Sequence, residues 1–302
     1  MKKPDSVTRR AVAVCCCLLV LFPASSPAVE VVDDAGRRIH LDKPAQRIIS
    51  LAPHITELLF AAGAGDALIG TVSFSNYPPA ATRLAGVGNY ASINLEKIVA
   101  LQPDLVVAWK SGSSSLQIER LERLGLPVFY SEPRRLEDIA SNLQRLGRLA
   151  GSAKSADAAA ARFTSGYTQL GTRYAGKETV RVFYEIWHRP LMTVSGAHLI
   201  SQVIRLCGGH NIFSDLETLA PTVTPEAVLA ANPEVIIAAG IATQRSEWLD
   251  AWRKWPRIAA VQHQQLHFIP PDLIQRQTPR VLEGAELMCE QLEQARAYQQ
   301  PD

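Results

Sequence analysis

The chain has 302 residues, of which 47% are hydrophobic, with 31 Lys and Arg set against 29 Asp and Glu. A formal net charge of +2 argues against nucleic acid as a partner, because phosphate binding needs a clustered cationic surface. The apolar share suffices for a large core, the length suits two domains or one large one, and nothing reads as a long disordered tail.

The N-terminus reads as an export signal. Lys2, Lys3, Arg9 and Arg10 precede an apolar run over 11–22, and small residues over 24–28 allow cleavage after Ala28. The run is shorter than the roughly 20 residues of a spanning helix, and an uncleaved anchor is the alternative. Residues 1–28 carry four of the cations and one acid, Asp5, so the mature chain lies near −1. Cleavage would also remove Cys15, Cys16 and Cys17, leaving Cys207 and Cys289. Two cysteines in an oxidising compartment are expected to pair, the alternative being two buried thiols. Without nearby histidine pairs they make a poor zinc site.

Residues 29–41 alternate around Asp34-Ala35-Gly36 and predict a hairpin. A buried strand is expected over 47–52, then an apolar helix over 56–62 ending at Gly63 or Gly65, where glycine suits a left-handed cap. Strands over 68–72 and 127–130, and helices over 113–124 and 136–149, continue the alternation. Residues 152–175 are Ala-rich and free of proline, and predict one long helix between the halves. Beyond it come a strand over 180–186, a helix over 197–206 stopped by Gly208-Gly209, and a short helix over 248–258 broken at Pro256. A strand over 266–269 and a helix over 281–298 complete the chain.

The pattern repeats. Residues 92–110 (SINLEKIVALQPDLVVAWK) and 222–240 (TVTPEAVLAANPEVIIAAG) align without gaps, 130 residues apart. Each holds a capping residue, a glutamate (Glu96, Glu226), Gln/Asn-Pro, an acid (Asp104, Glu234) and a buried-type strand. That spacing is too long for a solenoid and predicts two related lobes. Together with strand–helix alternation, the expected fold is α/β: two lobes with mainly parallel sheets flanked by helices, joined by one long helix, with a ligand cleft between them. The expected division is 29–150, 151–176 and 177–302.

The acids of a first turn favour the helix dipole; their matched placement in two lobes also suits docking on a basic two-fold partner. Phe74, Tyr77, Tyr90, Trp109 and Trp187 follow predicted strands, where ligands of open α/β sheets bind. They offer a flat apolar wall, or ordinary packing; Tyr77, beside two prolines, reads as structural. Asp272 and Arg276 suit hydrogen bonds to an amide-rich ligand, or a local surface ion pair. His54 is expected to be solvated or to cap a helix, the alternative being that it faces the cleft, and His188 is the histidine best placed to face a metal. No Gly-x-Ser-x-Gly, His-Glu-x-x-His or phosphate loop occurs, so no enzyme is expected. An exported metal-dependent enzyme is the alternative of another class, and would need clustered ligands.

The runs RIISLAPHITELLFAAGAGDALIG, FSNYPP, NLEKIVALQPDLVVAW, LCGGHNIF and DLIQRQTPR resemble the periplasmic binding proteins for cobalamin, within the class that carries iron-siderophores and haem to ABC importers. The resemblance spans about Arg47 to Leu292. It implies a periplasmic, monomeric receptor that captures cobalamin or a related corrinoid as cargo, not as a cofactor, and delivers it to the permease dimer of an ABC importer in the inner membrane. Haem or a ferric siderophore is the second choice of ligand. Matching positions imply a ligand wall of Phe74, Tyr90 and Trp109, with Trp187 matched more loosely because its segment is one residue longer. Asp272 and Arg276 match polar ligand contacts, Glu96 and Glu226 match the permease-docking glutamates, and Cys207 and Cys289 match a disulfide. Ala220 stands where a relative has a ligand-facing tryptophan, which suggests a corrinoid variant such as a cobinamide, whose cobalt could be exposed to His188.

Overall fold

The computed structural model describes residues 28–89, 92–240 and 245–298. The export signal, apart from Ala28, and Tyr90 lie outside the described residues.

Strands β1 (Val29–Val32) and β2 (Arg38–Leu41) form the expected antiparallel hairpin. Its turn is held by Asp33 Oδ1, which accepts the Ala35 and Arg37 amides, both at 2.9 Å. The first half then runs β3 (Ile48–Ser50), α1 (Pro53–Ala61), β4 (Leu68–Thr71), β5 (Ala85–Gly86), α2 (Leu95–Ala100), β6 (Leu105–Trp109), α3 (Ser115–Arg123), β7 (Val128–Ser131) and α4 (Leu136–Leu149). Its sheet has the order β5-β4-β3-β6-β7, parallel throughout.

Helix α5 (Ala153–Tyr174) follows, 22 residues or about 33 Å long at 1.5 Å per residue. The second half runs β8 (Val180–Glu185), α6 (Leu199–Leu206), β9 (Gly209–Asn211), α7 (Pro225–Ala231), β10 (Val235–Ala238), α8 (Arg245–Arg253), α9 (Ala259–Gln262), β11 (Leu266–Phe268), α10 (Pro271–Ile274) and α11 (Val281–Ala297). Its sheet has the order β11-β10-β8-β9, again parallel. The short elements β5, β9, α9 and α10 carry too few residues to show a period in sequence. Helix α1 begins three residues before the expected start, because Pro53 suits a first helical position.

The repeat has a common physical basis in both halves. Gln102 and Asn232 both adopt left-handed conformations, with φ of 48° and 43°, and turn the chain from helix to strand. Asp104 then accepts the Arg47 amide at 2.9 Å, and Glu234 accepts the Arg181 amide at 2.7 Å. Each acid thus satisfies the backbone at the start of the adjacent strand.

Helix α5 packs on both halves and continues one buried apolar core between them. Ala156 meets α4 so closely that a Cβ added at Gly147 would lie 2.2 Å from its own Cβ. Farther along, Gly166 faces Leu282 of α11 and Gly171 faces Leu206 of α6. Cys207 and Cys289 form a disulfide, with Cα atoms 4.7 Å apart, which ties the end of α6 to α11.

Candidate functional site

A cleft of about 310 Å3 opens between the two halves. Trp109, Ser111 and residues 132–134 line one side; Ile186, residues 197–199, Leu219, Ala220, Gln275 and Gln277 line the other. Much of this lining follows β6, β7 and β8, at the carboxyl ends of the sheets.

Trp109 ends the buried run of β6, and its amide donates to Ser113 Oγ at 3.1 Å. Gly112 leaves room for the indole: a Cβ there would lie 1.9 Å from Trp109 Cε3. Edge-on behind the indole is His54, with ring centroids 5.2 Å apart. His54 is not solvated and caps nothing, contrary to expectation; it is buried and its Nε2 has no partner among the described residues. Burial, helped by the nearby Arg276 charge, pushes its pKa down to about 3.

Arg276 and Arg280 reach across from the second half to Glu57 on α1. Arg276 Nη1 donates to Glu57 Oε1 at 2.6 Å, while Arg280 donates through Nε at 3.0 Å and Nη2 at 2.8 Å. Arg276 also donates to Asn76 Oδ1 at 2.9 Å and to the Phe74 carbonyl at 3.2 Å, and pairs with Asp272 at 2.9 Å. The pair with Asp272 is therefore one arm of a network between the halves, and Arg276 is largely buried rather than a free surface cation. Arg280 lies 3.8 Å over the Tyr77 ring, the structural place expected for that tyrosine.

Of the expected ligand wall, Trp109 lines the cleft. Phe74 is 74% exposed at a left-handed φ of 67° and sits at the junction near Arg276, outside that lining. Trp187 is half exposed, donates Nε1–H to the Arg189 carbonyl at 3.0 Å and meets Trp248 edge-on. His188 stacks on Trp248 and bonds the buried Glu185 at 2.6 Å through Nδ1. It borders a separate depression beside Trp252 rather than the cleft. Glu185 also accepts Trp252 Nε1–H at 2.7 Å, and burial raises its pKa against those two bonds. Among the described residues no group of three or more His, Cys, Asp or Glu could hold a metal.

Glu96 and Glu226 stand exposed in the first turns of α2 and α7, capped by Asn94 and Thr224. Neither carries an ion pair among the described residues. Glu57, His198, Gln275 and Gln277 were not singled out by sequence. The one available sign was Glu57 itself, a lone charge inside the apolar run ITELLFA.

Residues 48–273 match the family described as periplasmic binding protein. The chain is 38% identical over 247 residues to the vitamin B12-binding protein of Vibrio cholerae, covering 82% of this chain and 88% of that protein. It is 39% identical over 254 residues to the vitamin B12-binding protein of Vibrio campbellii, covering 84% and 91%. Among solved structures, the periplasmic vitamin B12 binding protein of Vibrio cholerae superposes with a TM-score of 0.77 at 38% identity, over 84% of this chain and 98% of that one.

Proposed function

We propose, from the premise that the chain belongs to the periplasmic binding protein family, that it captures cobalamin or a related corrinoid and delivers it to an ABC transporter. Its family works in the periplasm, and binding proteins of this type hand their ligand to a membrane permease rather than transform it. The observation that carries the reading is the cleft between two matched α/β halves, walled by Trp109, in a chain alike over most of its length to vitamin B12-binding proteins.

The chemistry of the cleft supports a large, amide-bearing macrocycle. Trp109, Ile186, Leu199, Leu219 and Ala220 supply apolar surface for a corrin face, and Ser111, Gln275 and Gln277 supply hydrogen-bonding groups. Phe74, exposed at the junction, and Trp187, half exposed and next in sequence to the lining residue Ile186, are the further aromatic side chains this reading assigns to the ligand. Ala220 leaves room that suits a cobinamide as well as a complete cobalamin. Asp272 and Arg276 shape the closed junction and meet the ligand's edge.

Residues 29–150 and 177–302 form the two lobes and 151–176 the connection, a division supported by the two separate sheets on either side of α5. Glu96 and Glu226 dock the protein on cationic residues of the permease; their exposure and their equivalent helix starts support that role. The test of the site is Trp109→Ala. Binding of cyanocobalamin should weaken at least about tenfold, the effect of about 1.4 kcal/mol; an unchanged affinity would remove Trp109 from the site.

A further inference from the structure

His198 is the N-cap of α6, and its Nδ1 accepts the Ile200 amide at 3.1 Å. A nitrogen that accepts an N–H carries no proton, so the hydrogen of the neutral ring sits on Nε2. Nε2–H has no partner among the described residues, in a side chain that lines the cleft. Burial favours the same state, holding the pKa down to about 4. Among the described residues, the charged side chains that line the cleft are Glu132 and Arg134, of opposite sign and 3.9 Å apart, and at the junction the Arg276 charge is already met by Glu57 and Asp272. Glu132 is already engaged by Ser111, through its amide at 2.8 Å and its hydroxyl at 2.9 Å.

We propose that His198 is a specificity-determining residue of this cleft: a fixed, neutral Nε2–H donor that pairs with a carboxamide oxygen of the ligand and is barred from ligating its metal. Coordination through Nε2 would require the proton to move to Nδ1, which would break the helix cap. A neutral donor in a cleft whose charges balance suits an uncharged acceptor. A macrocycle edged with carboxamides therefore fits, and one edged with carboxylates has no surplus cation to meet it. The inference rests on the corrinoid reading above and assigns it a residue.

The test is calorimetric titration of the mature protein and of His198→Asn with dicyanocobinamide and with the corrinoid heptacarboxylate, cobyrinic acid. Asparagine keeps an N-cap acceptor but ends short of Nε2, so a purely structural role predicts no loss. The wild type should bind the amide at least about tenfold more tightly than the carboxylate, and H198N should lose roughly fivefold to tenfold toward the amide, the value of one hydrogen bond, at an unchanged melting temperature. Affinity within about twofold of wild type would overturn the proposal. A second readout is independent of the variant: 15N NMR of the wild-type imidazole should show the Nε2–H tautomer at pH 7, free and bound, and an Nδ1–H tautomer would overturn it. Failure of the wild type to bind any corrinoid would instead overturn the functional reading beneath it.

Discussion

Glu57→Gln tests the junction between the halves. Glu57 is 2% exposed in its side chain and accepts three charge-assisted hydrogen bonds at 2.6, 2.8 and 3.0 Å from two arginines of the other half. The amide keeps one acceptor oxygen, loses the other and removes the counter-charge of both guanidiniums. Breaking a fully buried pair costs about 3–5 kcal/mol. Here Arg276 and Arg280 retain 13% and 15% exposure, and Arg276 keeps Asp272 and Asn76. Water and those partners relieve part of the loss, which leaves about 2–3 kcal/mol. Urea unfolding of the oxidised protein at pH 7, followed by circular dichroism and tryptophan fluorescence, should show a lower midpoint with an unchanged slope. A loss below about 0.5 kcal/mol would refute the view that this carboxylate clamps the halves.

Acid should weaken the fold through two histidines. Folded His54 titrates near 3 and His198 near 4, both held down by burial, against 6.5 for a free histidine. Between pH 6.5 and about 4 the unfolded chain binds more protons, so stability falls as pH falls, by up to about 1.4 kcal/mol per pH unit for each. Glu185, raised by burial, binds its proton more readily when folded and offsets part of that slope; urea midpoints that stay level from pH 7 to 4.5 would contradict the assignment. Reducing Cys207–Cys289, which closes a separation of 82 residues, should remove about 4 kcal/mol and lower the melting temperature by roughly 10 °C, readable by calorimetry with and without reductant. Gly112→Ala should displace the Trp109 ring and weaken cyanocobalamin binding severalfold, and full affinity would show that the indole can move without cost. Changing Glu96 and Glu226 to alanine should leave ligand affinity intact and impair uptake in vesicles carrying the permease; loss of affinity itself would place those residues elsewhere.

The periodic parts of the fold were legible in the sequence. Leu136, Ile139, Leu143, Leu146 and Leu149 mark α4 through helical spacing, and the run LVVAW marks a strand buried on both faces. The repeat betrayed two halves because the same turn, left-handed residue and acid are needed wherever such a helix returns to a parallel strand. Trp109 was legible as a cleft residue because it ends a strand. The junction was not: Glu57 meets Arg276 and Arg280 across more than 200 residues of chain, and no local pattern encodes such a pairing. His54 was misread for the same reason, since its ring meets Trp109, distant in the chain, and feels the charge of Arg276 from the other half. His198 looked like one of several scattered histidines until its ring was seen to cap α6.

The most direct measurement is calorimetric titration of the mature protein with cyanocobalamin, with dicyanocobinamide and haemin in parallel. One-to-one binding of a corrinoid, with haemin weaker or silent, is the predicted result. Binding of haemin alone would contradict the corrinoid assignment while leaving the transport role in place, and binding of none of the three would contradict the account of the cleft as a corrinoid site.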